Sequence, residues 1–292
     1  MKKLKKRIFI TGAGGFIGKN LVQKLRGKYS LLTPNRLELN LLNKGAVNNY
    51  FKENSIDVVI HCAVVGGSRK EEFVGDALSQ NLRIFFNVIN NRKHFRKMIC
   101  FGSGAEYDKS EPIINVKESD FGTKIPTDDY GLFKYICSKY VESLNNDKIY
   151  YLRIFGLYGK HEDYRYRFIS NAICRNITGL PITIGQNVYF DYLNIDDFIK
   201  IVDYFITHKS KHKFFNIGTG AKIDILSLAK KINTVAIEKS KIIIKKKGLN
   251  NEYTCDNSRL IKEIKCLSFK SHDDGISELY EWYCKKKDSI LL

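Results

Sequence analysis

Residues 7–18 read RIFITGAGGFIG, and their order decides the fold. A short apolar run ends at Thr11, and glycines follow at positions 12, 15 and 18. Behind them Phe16, Ile17, Leu21, Val22 and Leu25 recur at the spacing of one helix face. Glycines at a strand-to-helix junction let the chain turn tightly, let a pyrophosphate approach the backbone, and aim the helix N-terminus at its negative charge. A glycine pattern alone is weak evidence; one that leaves an N-terminal strand and opens an amphipathic helix predicts dinucleotide binding.

Working outward, the same alternation repeats. YSLLT (29–33) precedes the helical NKGAVNNYFKEN (43–54), DVVIHCAV (57–64) precedes DALSQNLRIFFNVINN (76–91), and KMICFGSG (97–104) precedes a helix from Asp128 to about Asn146. IYYLRIFG (149–156) closes the series. Short apolar strands separated by amphipathic helices predict a parallel sheet covered on both faces, with ligands at the carboxyl ends of its strands. Beyond Gly159 the alternation loosens, with helices near 168–178, 196–207, 225–235 and 275–286 and strands at PITI, KFFNIG and KIIIK. The expected fold class is therefore α/β, a Rossmann-type doubly wound parallel sheet over residues 1–159, with a smaller C-terminal α/β lobe over 160–292. Segments near 190–217 are expected to pack back on the first domain.

Bulk properties narrow the function classes. No apolar run approaches the ~20 residues of a membrane span, and the run behind the basic start is far shorter than a signal-peptide core, so a soluble cytoplasmic protein is expected. The 7 cysteines form no C-x-x-C pair or Cys/His cluster, so neither a disulfide framework nor a metal site is expected. The net charge of +18 attracts anions, either nucleic acid or a small phosphorylated substrate; no basic stripe interleaved with aromatics favours the former.

Three local features point to chemistry. After the second strand, LLTPNRLELN (31–40) carries no acid where a free ribose 2′-hydroxyl needs one, and Arg36 suits a 2′-phosphate. This favours NADP over NAD, with Glu38 close enough to reverse the preference. In TDDYGLFKYICSKYVESL (127–144), Thr127 or Asp128 caps a helix that sets Tyr130 and Lys134 one turn apart. An ammonium beside a phenol favours the phenolate and tunes it for proton exchange, although the same spacing also occurs as a simple surface pair. Ser103, between two glycines at a strand end, is either a turn serine or a polar group presented at the site.

TGAGGFIG, HCAVVGG, FGSGAEY, YGLFK, LYGKH, DYLNIDD, FNIGTG and the closing DNSRLIKEI and GISELYEWY come in one order. That order resembles the extended short-chain dehydrogenase/reductases of the epimerase/dehydratase type that act on nucleotide sugars, and residues 37–67 are most similar to GDP-fucose synthases. The resemblance implies a catalytic set of Ser103, Tyr130 and Lys134. It also implies cofactor contacts from Gly12, Gly14, Gly15, Phe16, Ile17, Gly18, Arg36, Asn40, Leu41, Cys62, Ala63, Val64, Phe101, Gly102 and Phe155, together with Tyr130 and Lys134. Substrate contacts are implied for Val65, Gly66, Ser103, Gly104, Ala105, Arg175, Tyr189 and Arg259.

Departures from the pattern select the reaction. Dehydratases of this type carry a glutamate, and fucose synthases a cysteine, where this chain has Ala105; Glu106 lies one place on and, on a continuing strand, points to the other face. The proton-shuttling histidine of fucose synthases is replaced by Arg167. Plain NADPH-dependent C4-keto reduction of a nucleotide-linked 4-keto-6-deoxy sugar, without epimerisation, is therefore the expected activity. An NAD-dependent 4-epimerase is the alternative, and a non-catalytic dinucleotide sensor or a nucleic-acid binder are more distant ones. Phe85, Phe86 and Ile89 give the third helix more apolar cover than one sheet face requires, either because a loop buries it or because, with the Tyr130 helix, it forms the homodimer interface that the resemblance implies.

Overall fold

The computed structural model describes residues 5–66 and 76–292. The chain divides into two compact units: residues 1–108, 121–153 and 199–215 form one, and residues 109–120, 154–198 and 216–292 the other. Residues 199–215 thus group with the first unit, within the stretch 190–217 expected to do so, whereas 109–120 group with the second. Sequence pattern follows the order of elements, whereas a compact unit is set by which elements share a core, and the chain changes unit several times.

The first unit is built on a six-stranded sheet. Its strands in chain order are β1 (Arg7–Thr11), β2 (Ser30–Leu32), β3 (Val58–His61), β4 (Lys97–Ser103), β5 (Ile149–Ile154) and β6 (Phe214–Ile217). In space they run β6-β5-β4-β3-β1-β2, with parallel pairing of β1 to β2, β1 to β3 and β3 to β4. From β1 the chain goes to one side for β2 and returns to the other for β3, so the order reverses between β1 and β3. The ends of strands at such a switch point diverge and open a crevice.

Helices α1 (Phe16–Leu25), α2 (Lys44–Glu53), α3 (Ala77–Ile89) and α4 (Asp129–Ser143) connect these strands. Asn43 caps α2 by accepting from the Ala46 N–H at 3.0 Å, and Asp128 caps α4 by accepting from the Gly131 N–H at 3.0 Å. Val47 and Phe51 of α2, Phe85, Val88 and Ile89 of α3, and Phe133, Cys137 and Val141 of α4 pack with Phe9, Val59, Met98, Cys100 and Tyr151 of the sheet. On the opposite face Phe205 of the helix Ile195–Thr207 lies 5.2 Å from the Tyr150 ring, so β5 is covered on both sides.

This packing corrects the expected surface on α3. Phe85 is 2% exposed and Ile89 fully buried, so these two are core residues of the unit. Leu78, Leu82 and Phe86 of α3 and Tyr140 and Leu144 near the end of α4 are the half-buried ones.

The second unit has a core of Ile169 and Ile173 from the helix Phe168–Ile177, Leu228 and Ile232 from Ile225–Val235, and Ile276, Leu279 and Tyr283 from His272–Cys284. Its four-stranded sheet orders Ile223–Asp224, Tyr189–Phe190, Tyr253–Cys255 and Ile113–Val116. Among the described residues, no helix is long and apolar enough to cross a membrane.

Candidate active site

The crevice at the switch point is a cavity of about 350 Å³, within the range of small-molecule sites. Its floor is the junction after β1. Gly12 has φ +65°, and a Cβ there would lie 2.8 Å from the Ala63 backbone. The Gly15 N–H donates to the Gly12 carbonyl at 3.0 Å, which closes the turn, and α1 begins at the next residue. Gly12, Gly14 and Gly15 line the cavity, as do Cys62, Ala63, Val64 and Val65 from the exit of β3. Sequence reasoning missed Thr11 and Ala13, which also line it.

Thr11 explains how the two strand ends stay in register. Its hydroxyl oxygen accepts from the Cys62 and Ala63 N–H groups at 3.1 and 3.2 Å, so its own proton is donated to His61 Nδ1 at 2.9 Å. His61 therefore carries its proton on Nε2, and burial, helped by the nearby Lys134 charge, lowers its pKa to about 3. Further along, the Asn81 side chain accepts from the Val65 N–H and donates to the Val65 carbonyl, both at 2.8 Å. Gly66 follows at φ +74°. Gly67, the last residue of the HCAVVGG motif, lies outside the described residues.

The loop after β2 supplies the outer wall, through Pro34, Asn35, Arg36, Leu39, Asn40, Leu41 and Leu42. Glu38 does not line the cavity. Its carboxylate accepts from the Asn35 N–H at 2.7 Å, and the Asn35 side chain accepts from the N–H groups of Leu37 and Glu38. The acid is thus spent within the loop, and Arg36 is the charged group left at the cavity.

Ser103 ends β4 with extended backbone, φ −149° and ψ 150°, and caps the 3-10 turn Gly104–Tyr107. Its Oγ accepts from the Ala105 N–H at 3.2 Å, and Glu106 accepts from the Ser103 N–H at 2.9 Å. The strand does not continue past Ser103, so Glu106 is withdrawn for another reason than strand alternation: it is fully buried and takes the Arg153 Nε–H at 2.7 Å. Burial raises the Glu106 pKa, and the Arg153 charge and hydrogen bonds oppose that rise. Ala105, 1% exposed, adds no titratable group beside Ser103.

Helix α4 brings Tyr130 and Lys134 to this turn. Gly131 permits the approach, since a Cβ there would lie 2.8 Å from the Ala105 carbonyl oxygen and 2.7 Å from Pro126. Lys134 is buried and donates to the Phe101 carbonyl at 2.6 Å, with its Nζ 5.8 Å from the Tyr130 ring centroid. Tyr130 is 38% exposed. Ser103, Gly104, Ala105, Tyr130 and Lys134 are thus gathered on adjoining elements of one unit.

Other residues singled out in the sequence stand elsewhere. Phe16, Ile17 and Gly18 open α1 without lining the cavity, and Gly18 is required by the close approach of the helix to the Gly12 carbonyl. Gly102 is bare because Glu106 and Tyr151 occupy the space a Cβ would take. Phe155 belongs to the second unit, where its ring lies 5.1 Å from that of Tyr253. Arg175, Tyr189 and Arg259 are also in the second unit. Arg175 donates to the Pro181 carbonyl at 2.6 Å, Arg259 pairs with Glu118 at 3.5 Å, and Lys222 stands 4.9 Å from the Tyr189 ring centroid.

Near Arg167, the residue preceding the helix Phe168–Ile177, the buried Glu162 accepts from the Ser170 hydroxyl at 2.7 Å. Burial pushes its carboxyl up to about 8, against the pull of that hydroxyl and of Arg167. The folded protein holds a proton here that the unfolded chain releases in the ordinary carboxylate range. The stability this group contributes is therefore complete below that range and is lost as pH rises through about 8. Glu162→Gln is expected to raise Tm relative to the parent at pH 9, by about 5 °C or more, and to match it within about 2 °C at pH 5. Parallel Tm curves across that interval would contradict the assignment.

A parallel-paired sheet with its cavity at the strand reversal, and a tyrosine and lysine on the helix that follows β4, define a Rossmann-type α/β fold of the dinucleotide-dependent kind. Residues 8–218 match the NAD dependent epimerase/dehydratase family, and the chain belongs to that family. It is 26% identical to the GDP-L-fucose synthase of Escherichia coli (strain K12), across 97% of this chain and 98% of that protein. To the GDP-L-colitose synthase of Yersinia pseudotuberculosis it is 23% identical, across 97% and 99%. Among solved structures it superposes on the GDP-mannoheptose C4 reductase from Campylobacter jejuni with NADP bound, at a TM-score of 0.82 and 21% identity over 97% and 99% of the two chains.

Proposed function

We propose that this protein is an NADPH-dependent reductase acting at C4 of a nucleotide-activated 4-keto-6-deoxy sugar, a deoxyhexose or deoxyheptose, without epimerase activity, in the making of surface polysaccharide. The observation that carries this reading is the buried Ala105 beside Ser103, with Glu106 held by Arg153: hydride chemistry is provided for and a second proton shuttle is not. The names of its relatives, a GDP-L-fucose synthase, a GDP-L-colitose synthase and a GDP-mannoheptose C4 reductase, support the substrate class.

The cavity fits NADPH. The glycine junction and the α1 N-terminus take the pyrophosphate, and Arg36, with no ion-pair partner among the described residues, takes the 2′-phosphate. When bound, NADPH supplies the hydride for C4. Ser103 donates a hydrogen bond to the C4 oxygen, and Tyr130 delivers a proton to the same oxygen as negative charge develops there. Lys134, held by the Phe101 carbonyl beside the tyrosine, would hold the nicotinamide ribose. Tyr189, Arg175 and Arg259 in the second unit are assigned to the sugar nucleotide. A homodimer belongs to the same reading, supported now by the half-buried face of Leu78, Leu82, Phe86, Tyr140 and Leu144.

The test is NADPH oxidation with GDP-, dTDP-, CDP- and UDP-linked 4-keto-6-deoxy sugars, the product being identified by NMR. One of them is expected to be reduced at C4 with unchanged configuration at C3 and C5. Inversion at C4 without added cofactor would replace this reading by that of a 4-epimerase. With the active substrate, Arg36→Ala is expected to raise KM for NADPH by about 10–100-fold, the loss of one charge-assisted contact, and to leave KM for NADH within about twofold.

A further inference from the structure

Arg153 is an anomaly of the first unit: a guanidinium 1% exposed, the one charged residue in the strand β5, Ile149–Ile154. Its Nε–H donates to Glu106 at 2.7 Å and its Nη2–H to the Ser138 hydroxyl at 2.7 Å, while Nη1 has no partner among the described residues. The Phe121 ring lies 3.9 Å from the guanidinium carbon. Replacing such a pair by apolar side chains is often neutral or stabilising, so stability alone gives no reason for it.

Position gives one. Glu106 uses its other carboxylate oxygen to accept from the Ser103 N–H, and Gly102 is left bare so that the carboxylate has room. Two residues back along β5, on the same face, Tyr151 donates its hydroxyl proton to the Lys134 carbonyl at 2.9 Å. Ser138 lies one turn beyond Lys134 on α4. Alternate side chains of β5 thus grip both elements at once: Arg153 takes the Ser103 turn through Glu106, and Arg153 and Tyr151 together take α4.

We propose that Arg153 and Glu106 are positioning residues that fix the Ser103 turn relative to the helix carrying Tyr130 and Lys134. The inference rests on Ser103 being the hydrogen-bond donor to the C4 oxygen. Glu106 anchors the Ser103 amide, and Arg153 anchors Glu106, so the Ser103 hydroxyl is held where it already accepts from the Ala105 N–H and directs its own proton elsewhere. A groove wall without this anchor would let the serine rotate off the line of the reacting oxygen, where a displacement of about 1 Å is enough to slow a positioned reaction about 10²-fold.

The test compares two double variants that leave no buried charge unpaired: Glu106→Leu with Arg153→Met, and Glu106→Gln with Arg153→Met. The first removes the acceptor for the Ser103 amide and is expected to lower kcat about 30-fold, with KM for NADPH within about twofold. The second restores an acceptor for the Ser103 amide but not its Arg153 anchor, and is expected to recover part of the loss, to within about tenfold of the parent kcat. In a Ser103→Ala background the two doubles are expected to become indistinguishable, because the anchor then has nothing to hold.

Equal losses in both doubles, or a full further loss in the Ser103→Ala background, would overturn the proposal. Full turnover by Ser103→Ala alone would instead remove the role of Ser103 itself, and this inference with it. Should the leucine double fail to bind NADPH, Glu106→Met with Arg153→Leu takes its place, judged by the same two comparisons.

Discussion

Tyr130→Phe is expected to lower kcat for keto-sugar reduction by about 10²–10⁴-fold while leaving NADPH affinity within about twofold. The substitution removes one oxygen and keeps the ring. Tyr130 stands in the first turn of α4 at 38% exposure, and its ring meets Phe133 edge-on at 6.4 Å, a contact phenylalanine keeps. What disappears is the proton donor nearest the Lys134 charge. Without it the developing alkoxide has only the Ser103 hydroxyl for stabilisation, and water is a slower and less well-placed acid. Stopped-flow reduction with saturating NADPH, paired with nucleotide titration by fluorescence, separates the two quantities. Unchanged turnover would take the catalytic role away from Tyr130.

Gly18→Ala is expected to be nearly as damaging, by a different route. The new methyl would overlap the Gly12 carbonyl oxygen and stand 2.7 Å from Ala13 Cα, all backbone atoms that have no rotamer to escape into. Either α1 moves outward or the glycine loop unrolls, and Gly12 has little room to yield because its Cα already faces the Ala63 backbone so closely that not even a Cβ would fit between them. Overpacking of this kind costs about 1–3 kcal/mol, so Tm should fall by about 5 °C. The loss of loop geometry should weaken NADPH by about 100-fold, a further 2.7 kcal/mol or so. Gly14→Ala is the control: no atom lies within 4 Å of a Cβ there, so the fold is expected to keep its Tm within about 2 °C. Equal Tm values for the two variants would show that α1 is not pressed on the loop.

Much of the first unit is legible in the chain because its strands are short, mainly apolar runs and its helices repeat their apolar residues at helical spacing. The helices of the second unit and its paired strands Ile182–Asn187 and Ile242–Leu249 are legible in the same way, but its four-stranded sheet is not. Tyr189–Phe190 and Ile223–Asp224 are strands of two residues and Tyr253–Cys255 one of three, shorter than any window in which alternation can be recognised. The strand Ile113–Val116 lies between a turn and a helix of the other unit and finds its partner Tyr253–Cys255 far along the chain.

At the site, Ser103, Tyr130 and Lys134 carry local signals, a glycine-flanked strand end and a helical spacing. Glu106 and Arg153 are 47 residues apart and meet only once β4 and β5 lie side by side. The available signal was a single arginine within IYYLRIFG, a charge where the strand is otherwise apolar. Phe85 and Ile89 misled for the complementary reason: apolar cover read along one helix does not say how many neighbours will bury it.

The bond pair between Asn81 and Val65 has a consequence for how the cavity wall is held. One carboxamide, accepting from the N–H and donating to the carbonyl of the same residue, reproduces a rung of β-ladder with no strand behind it. The chain leaving β3 is therefore held by α3 at Val65 through one side chain, so the cavity wall at Val64 and Val65 moves with α3 and not with β3 alone.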